Sequence, residues 1–134
     1  MVVLDASFVI AWAYKEAPHS LDAQIRRVAK DLACVPAHWS LEIANAMLNS
    51  VRAGRIDWRQ RDELLNAIKL LPIEADTETW LRGWDDIPAL AREHRLTAYD
   101  AAYLELAVRR QAPLATLDHD LARAARAAGV TLFE

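Results

Sequence analysis

The sequence has little of what secreted, disulfide-stabilised or membrane-spanning proteins contain. Its 134 residues include one cysteine, Cys34, so no disulfide bond can form within the chain, which agrees with a reducing compartment. The longest apolar stretch, residues 8–14, is far shorter than the roughly 20 residues that span a bilayer. The N-terminus lacks the basic region and the small-residue cleavage site of a secretory signal. We therefore expect a cytoplasmic protein without a membrane segment.

The chain also lacks an excess of positive charge. Its formal net charge is −3, so the protein as a whole offers no field that attracts a polyanion, and any nucleic-acid binding has to be local. Internal repeats, linkers and low-complexity segments are absent as well. A chain of this length buries about two thirds of its unfolded surface on folding. One domain over residues 1–134 is therefore predicted to fold without a disulfide or a structural metal.

Short apolar runs alternate with helical patterns along the chain. Strands are predicted at residues 2–4, 33–35, 72–75, 113–117 and 130–133. Helices are predicted between them, and residues 17–20 are expected to break the first helical region. In the helix predicted at residues 39–53, the buried face is expected to consist of Leu41, Ala44, Met47, Leu48 and Val51. Strands separated by helices predict an α/β fold, in which helices cover both faces of a mainly parallel sheet.

Two of the predicted strands end in an aspartate. Asp5 follows the first strand directly, and Asp118 follows the strand at residues 113–117. The carboxyl ends of parallel strands lie at one edge of a sheet, where ligands bind. If these two strands are neighbours, the like charges lie side by side and repel each other unless a cation lies between them. Either residue alone can instead cap the helix that follows it, since aspartate is favoured at helix starts.

Two more acids lie near the start of predicted helices. Glu42 lies in the first turn or so of the helix at residues 39–53, and Asp100 lies near the start of a helix at residues 98–110. Apolar residues that are expected to be buried follow both acids. An acid in the first turn of a helix also favours the helix dipole, so a purely local role stays open for both residues.

Together the four acids carry a resemblance to a known family. Their sequence contexts resemble the four acidic motifs of PIN-domain nucleases and are most similar to those of the VapC toxins of bacterial and archaeal toxin–antitoxin pairs. The resemblance covers essentially the whole chain. It rests on VLDAS at residues 3–7, LEIANA at 41–46, LTAYDAAY at 96–103 and LATLDHDL at 114–121.

The resemblance implies a three-layer α/β/α fold with strand order 3-2-1-4-5 and the activity of a metal-dependent endoribonuclease. It implies that Mg²⁺ or Mn²⁺ is held by four catalytic acids, namely Asp5, Glu42, Asp100 and Asp118. Hydrogen bonds that orient these carboxylates are expected from Ser7, Asn45 and Thr116. Asp120 is either a further acid of the site or the cap of the last helix, and we favour the cap.

The resemblance also implies partners. An RNA substrate, a cognate antitoxin protein and a second copy of the chain in a homodimer are expected. Arginines at the rim are needed to contact RNA phosphates, and the candidates are Arg52, Arg55, Arg95 and Arg123. The residues expected to face a protein partner are Trp12, Tyr14, Trp58 and Trp80.

The residue types of the four motifs agree with this chemistry. Hard divalent cations prefer oxygen ligands, and a group of carboxylates without histidine or cysteine suits magnesium or manganese. Such an ion activates a water molecule and neutralises the charge that develops on a phosphodiester.

Three alternatives fit parts of the pattern. A phosphoacceptor receiver domain needs paired acids after the first strand and a lysine after a late strand, but Asp5 has no acidic neighbour and the last lysine is Lys69. A phosphatase of the haloacid dehalogenase type needs a second aspartate two residues after the first, where this chain has Ser7. A PIN-like scaffold that binds partners without catalysis also remains, and the presence of all four acids argues against it.

Overall fold

A parallel sheet of four short strands lies at the centre of the fold. The computed structural model describes residues 1–16 and 20–134. The strands are β1 (Val2–Leu4), β2 (Ala33–Val35), β3 (Ile73–Ala75) and β4 (Leu114–Ala115), and their order in the sheet is β3-β2-β1-β4. All three pairings are parallel, so the predicted order of these strands is confirmed.

The last predicted strand, residues 130–133, is reduced to a single bridge. Leu132 pairs in parallel with Leu114, and the backbone N–H groups of Leu114 and Phe133 donate hydrogen bonds to Thr131 and Leu114 respectively, each 2.9 Å long. The segment therefore lies beside β4, where the order 3-2-1-4-5 places it, although its pairing is too short for a full strand.

Helices cover both faces of the sheet and complete a three-layer α/β/α arrangement. In the described ranges they are α1 (Ala6–Tyr14), α2 (Asp22–Lys30), α3 (Trp39–Arg52), α4 (Trp58–Lys69), α5 (Thr79–Arg82), α6 (Asp86–His94), α7 (Ala98–Arg110) and α8 (His119–Ala127). The break predicted at residues 17–20 falls mostly outside the described residues. None of the helices described is both long enough and apolar enough to cross a membrane.

Two elements form most of the core beneath the candidate acids. The β1 strand is buried at every position because helices pack on both of its faces, as its uniformly apolar sequence predicts. In α7, all residues from Ala101 to Ala107 are buried. The start of α7 is therefore fixed against the sheet, next to the carboxyl ends of the strands.

The predicted buried face of α3 is partly wrong. Leu41 and Ala44 are exposed, whereas the buried residues of the helix are Trp39, Ile43, Met47 and Ser50. Both sets have helical spacing, so periodicity alone could not separate them. The observed rotation leaves Leu41 on the surface directly beside Glu42.

Candidate active site

Asp5 is a buried carboxylate at the carboxyl end of β1. Only 4% of the residue is exposed. It occupies the N-cap position of α1, but its side chain makes no capping hydrogen bond, so the capping role that stayed open in the sequence is not observed. Its Oδ2 atom instead accepts hydrogen bonds of 2.6 Å from the hydroxyl groups of Ser7 and Thr116. Both predicted orienting hydroxyls therefore contact the acid.

The environment of Asp5 favours the protonated form of its carboxyl group. Burial raises the pKa above its ordinary value of 3.8, and the nearby charge of Glu42 raises it further. The hydrogen bonds from Ser7 and Thr116 oppose this shift but do not overcome it. The groups that hold this acid are neutral hydroxyls, which orient the carboxylate without balancing its charge.

Glu42 lies in the first turn of α3 and contacts two aromatic side chains. The Tyr103 hydroxyl donates a hydrogen bond of 2.6 Å to Oε1. Nε2 of His38 lies 3.0 Å from the same oxygen, in a contact that lacks the alignment of a hydrogen bond. Burial alone would raise the pKa of Glu42, but the contacts with His38 and Tyr103 outweigh it and lower the pKa below 4.5. Glu42 is therefore held ionised.

Asp100 is the most strongly perturbed acid for which a value is resolved. Its backbone N–H donates a hydrogen bond of 3.1 Å to Oγ1 of Thr97, which caps α7 and holds the start of the helix in place. Partial burial, followed by repulsion from Asp118, Asp5 and Glu42, raises the pKa of Asp100 to about 6. The other three predicted acids therefore lie near enough to Asp100 to affect its carboxyl group.

Asp118 has a capping role in addition to its place among the four acids. Its Oδ1 atom accepts a hydrogen bond of 2.8 Å from the backbone N–H of Leu121, so Asp118 caps α8 with one of its oxygens. This corrects our preference for Asp120 as the cap of that helix. Asp120 lies in the first turn, is exposed and forms an ion pair with Arg123.

Two contact residues of the site were missed by the sequence reasoning, and one predicted residue does not contact the acids. Tyr103 lies three residues after Asp100 and His38 four residues before Glu42, which places each on the same helical face as its acid. That spacing is the signal that could have revealed them. Asn45 is exposed, and within the described ranges its side chain makes no hydrogen bond to the four acids.

A family model describing the PIN domain matches residues 2–127. The chain belongs to the PIN domain family. PIN domains are typically nucleases and generally use divalent metal ions. The match spans all four acids and both hydroxyl partners of Asp5.

Solved structures share this fold. PAE2754 from Pyrobaculum aerophilum superimposes with a TM-score of 0.66 and 25% sequence identity, covering 92% of this chain and 83% of that one. FitAcB from Neisseria gonorrhoeae superimposes with a TM-score of 0.60 and 18% identity, covering 100% of this chain and 97% of that one. No curated protein matches the sequence.

The donor set of the PIN domain suits a hard cation, although the residues are not gathered into a closed site. Within the described ranges, no three or more histidine, cysteine, aspartate or glutamate side chains are grouped so that they could hold a metal ion. The four acids nevertheless supply only oxygen donors, and partial burial together with the charges of the other three raises the pKa of Asp100. Magnesium keeps several of its water ligands, so it does not need a closed cage of carboxylates.

The candidate arginines do not share one location. Arg123 donates hydrogen bonds to Asp120 and to the backbone carbonyl of His94. Arg52 lies ten residues beyond Glu42 in α3, which corresponds to about 15 Å along the helix axis, and Arg55 lies beyond the same end. Arg95 ends α6, two residues before the Thr97 cap of α7. Among the four, Arg95 is therefore nearest in sequence to the start of α7.

A third acid at a strand end has a structural role that the sequence did not reveal. Asp76 follows β3, and its side chain is 1% exposed. Arg109 donates hydrogen bonds of 2.8 and 3.1 Å to it, and the Thr79 hydroxyl donates one of 2.7 Å. Burial alone would raise the pKa of Asp76, but these contacts lower it below 3.8. Unlike Asp5, this carboxylate has its own cation.

Proposed function

We propose that this PIN domain is a metal-dependent endoribonuclease that hydrolyses RNA phosphodiester bonds with Asp5, Glu42, Asp100 and Asp118 around Mg²⁺ or Mn²⁺. The observation that supports it most is the shift of the Asp100 pKa to about 6, which comes first from partial burial and then from the charges of all three other acids. Acids that serve only as separate helix caps do not need to repel one another. A site that accumulates negative charge is suited to a cation.

The surrounding residues give the four acids different tasks. Ser7 and Thr116 fix the orientation of the Asp5 carboxylate, and Tyr103 fixes that of Glu42 while keeping it ionised. The pKa of Asp100 is raised to about 6, so this carboxyl group is mostly ionised at neutral pH and is available as an oxygen ligand. A bound Mg²⁺ or Mn²⁺ would supply Lewis-acid activation of water and neutralise charge on the phosphate.

We further infer that the protein is the toxin of a toxin–antitoxin pair. This inference rests on the similarity of the four acidic motifs to those of VapC toxins, and it implies a cognate antitoxin and a homodimer. Trp58 and Trp80 are exposed and suit an interface with a protein partner. Trp12 suits it less, because it is half-buried and its indole N–H donates a hydrogen bond of 3.0 Å to Asp22. Tyr14 is half-buried as well.

Purified protein incubated with single-stranded and hairpin RNAs in Mg²⁺, Mn²⁺ or EDTA tests the nuclease. We expect cleavage with either metal and none in EDTA. Asp5→Asn should abolish cleavage, whereas Asp62→Asn, which removes an exposed acid of α4, should leave it unchanged. Cleavage in EDTA, or by Asp5→Asn at the parent rate, would contradict the proposal. Intact RNA in every condition would favour the scaffold alternative.

Expression in cells tests the toxin role separately. We expect growth arrest when the protein is produced without its partner, and relief of the arrest by Asp5→Ala. Sequencing the RNA ends after induction would then identify the substrate. Equal arrest by Asp5→Ala at the same protein level would show that the acids do not cause the toxicity.

A further inference from the structure

Three of the four candidate acids directly follow a large exposed apolar residue. Leu41 precedes Glu42 and is 71% exposed, Tyr99 precedes Asp100 and is 67% exposed, and Leu117 precedes Asp118 and is 40% exposed. We call these three residues the apolar rim. Adjacent side chains point in different directions, so sequence neighbourhood alone does not place the rim beside the acids, and the contacts of each rim residue decide it.

Tyr99 is the aromatic member of the rim, and its ring is supported from one side. The His38 ring lies 5.7 Å from it, centroid to centroid, at an angle of 50°. The His38 ring is in turn packed edge-on against Tyr103 at 5.3 Å, and Tyr103 is fully buried and hydrogen-bonded to Glu42. Three rings in contact therefore connect the exposed ring with Glu42, which limits the positions that Tyr99 can adopt.

The charge of the site makes contacts with phosphates a weak source of affinity. The four acids repel an RNA backbone, and Arg123 is already engaged with Asp120 and with the carbonyl of His94. Uncharged contacts beside the acids would therefore add affinity for RNA where contacts with phosphates are unfavourable. Aromatic side chains provide such contacts for single-stranded RNA, because every unpaired base has a flat face that stacks on them.

We propose that the Tyr99 ring is a stacking platform for an unpaired base of the RNA substrate beside the candidate active site. This inference rests on the proposed nuclease function and adds Tyr99 as a residue that contacts a base of the substrate. Leu41 and Leu117 extend the apolar surface on which neighbouring bases lie. A base within a duplex is stacked on its neighbours and does not fit this platform.

Binding measured without cleavage tests the platform. Fluorescently labelled 10-nucleotide homopolymers of A, C, G and U are titrated with the full-length protein in EDTA and followed by anisotropy. Two controls are titrated in the same way. The first is a 10-nucleotide abasic strand, which carries the same phosphates without bases. The second is each homopolymer annealed to its complement, in which the bases are paired. We expect at least one single strand to bind at least tenfold more tightly than both controls, with a weak dependence on salt.

Substitutions of Tyr99 separate stacking from simple apolar contact. Tyr99→Phe keeps the ring and should bind as the parent does, whereas Tyr99→Leu and Tyr99→Ala should each lose about tenfold in affinity. Trp84→Ala is the matched control, because Trp84 is equally exposed but does not adjoin a candidate acid, and it should bind as the parent does. Melting curves confirm that the variants are folded, as expected for a side chain exposed to this degree.

Several outcomes would overturn the platform. The proposal fails if the parent binds no single strand better than it binds the abasic strand. It also fails if Tyr99→Ala or Tyr99→Leu binds RNA as tightly as the parent does. Parent-like RNA binding combined with loss of a protein partner from Tyr99→Ala would assign the rim to that partner instead. Each of these results is compatible with metal-dependent cleavage by the parent, so the platform can fail while the nuclease proposal stands.

Discussion

The Thr116 hydroxyl donates a hydrogen bond of 2.6 Å to Oδ2 of Asp5 across 111 positions of the sequence. The two residues follow β4 and β1, which pair in parallel, so the sheet brings them together. The same hydroxyl oxygen accepts a hydrogen bond of 3.0 Å from the backbone N–H of Asp118. Thr116 therefore connects the two acids that end neighbouring strands.

Replacing Thr116 by valine should weaken both the fold and the site. Thr116→Val keeps the shape of the side chain but leaves a buried carboxylate oxygen and a backbone N–H with one partner fewer, which costs about 1–3 kcal/mol of unfolding free energy. It also removes a contact that lowers the pKa of Asp5, so that pKa should rise further and more Mg²⁺ should be needed for half-maximal cleavage. Chemical denaturation and a Mg²⁺ titration measure the two effects. Thr116→Ser should retain most of the parent's behaviour, and equal loss in Thr116→Ser would contradict the role of the hydroxyl.

Removing the Tyr103 hydroxyl should affect activity more than stability. Tyr103→Phe deletes one of the two contacts that lower the pKa of Glu42, so that pKa should rise and the acid limb of the pH–rate profile should move to higher pH. Loss of such an orienting contact typically costs about 10- to 100-fold in metal affinity or activity. The profile of kcat/KM against pH measures the shift. Tyr14→Phe is the control, because the Tyr14 hydroxyl has no hydrogen-bond partner among the described residues.

The resemblance to PIN-domain nucleases implied the order of the sheet, whereas local patterns alone predicted a mainly parallel sheet with an aspartate after two of its strands. An apolar run that ends in aspartate marks Asp5 and Asp118 as strand-end acids. Alternation of strands and helices then limits the topology to a parallel sheet. The raised pKa of Asp100, which comes from burial and from the charges of the other three acids, is a consequence of folding that no single motif contains.

Features that depend on pairing between distant segments were not predictable in the same way. Asp76 follows a strand as Asp5 does, and only the approach of Arg109 from α7 distinguishes a neutralised acid from a candidate catalytic one. The rotation of α3 could not be read from periodicity either, because two sets of apolar residues have helical spacing. The exposed position of Leu41 became evident only from packing.

Arg109 should matter for stability rather than for catalysis. It pairs with Asp76 and with Glu105, both of which are buried, so Arg109→Met leaves these carboxylates only longer contacts, with Arg110 at 3.8 Å and Arg82 at 4.0 Å, and should cost about 3–5 kcal/mol. Arg59→Met, which removes one partner of an exposed pair with Glu63, should change stability by less than about 1 kcal/mol. Urea denaturation compares the two variants. A cost for Arg109→Met as small as that for Arg59→Met would show that the buried network does not stabilise the fold.

The stability of the metal-free protein should depend on pH through Asp100. Its pKa is about 6 in the folded state, above the ordinary 3.8, so between these values the folded state binds more protons than the unfolded state. This contribution to stability is fully present below about pH 4 and is lost as the pH rises through about 6. Urea denaturation in EDTA measures the unfolding free energy of the parent and of Asp100→Asn at each pH. Between pH 4 and 7, the value for the parent should fall by about 1–2 kcal/mol relative to the variant, after allowance for solvent screening. Parallel curves for the two proteins would contradict the shift.

Asp100→Asn should also separate a metal site from a group of unrelated helix acids. Removing one of several repelling carboxylates relieves strain, so in EDTA at pH 7.5 the variant should melt at the same temperature as the parent or higher. Magnesium stabilises the parent by binding the folded state, and the variant should lose most of that shift together with nuclease activity. Asp22→Asn is the matched control, because Asp22 is an exposed acid in the first turn of α2. This variant should melt at a slightly lower temperature than the parent and keep the full magnesium shift. If Asp100→Asn behaves as Asp22→Asn does, with a lower melting temperature in EDTA and an undiminished response to magnesium, Asp100 serves its helix rather than a metal.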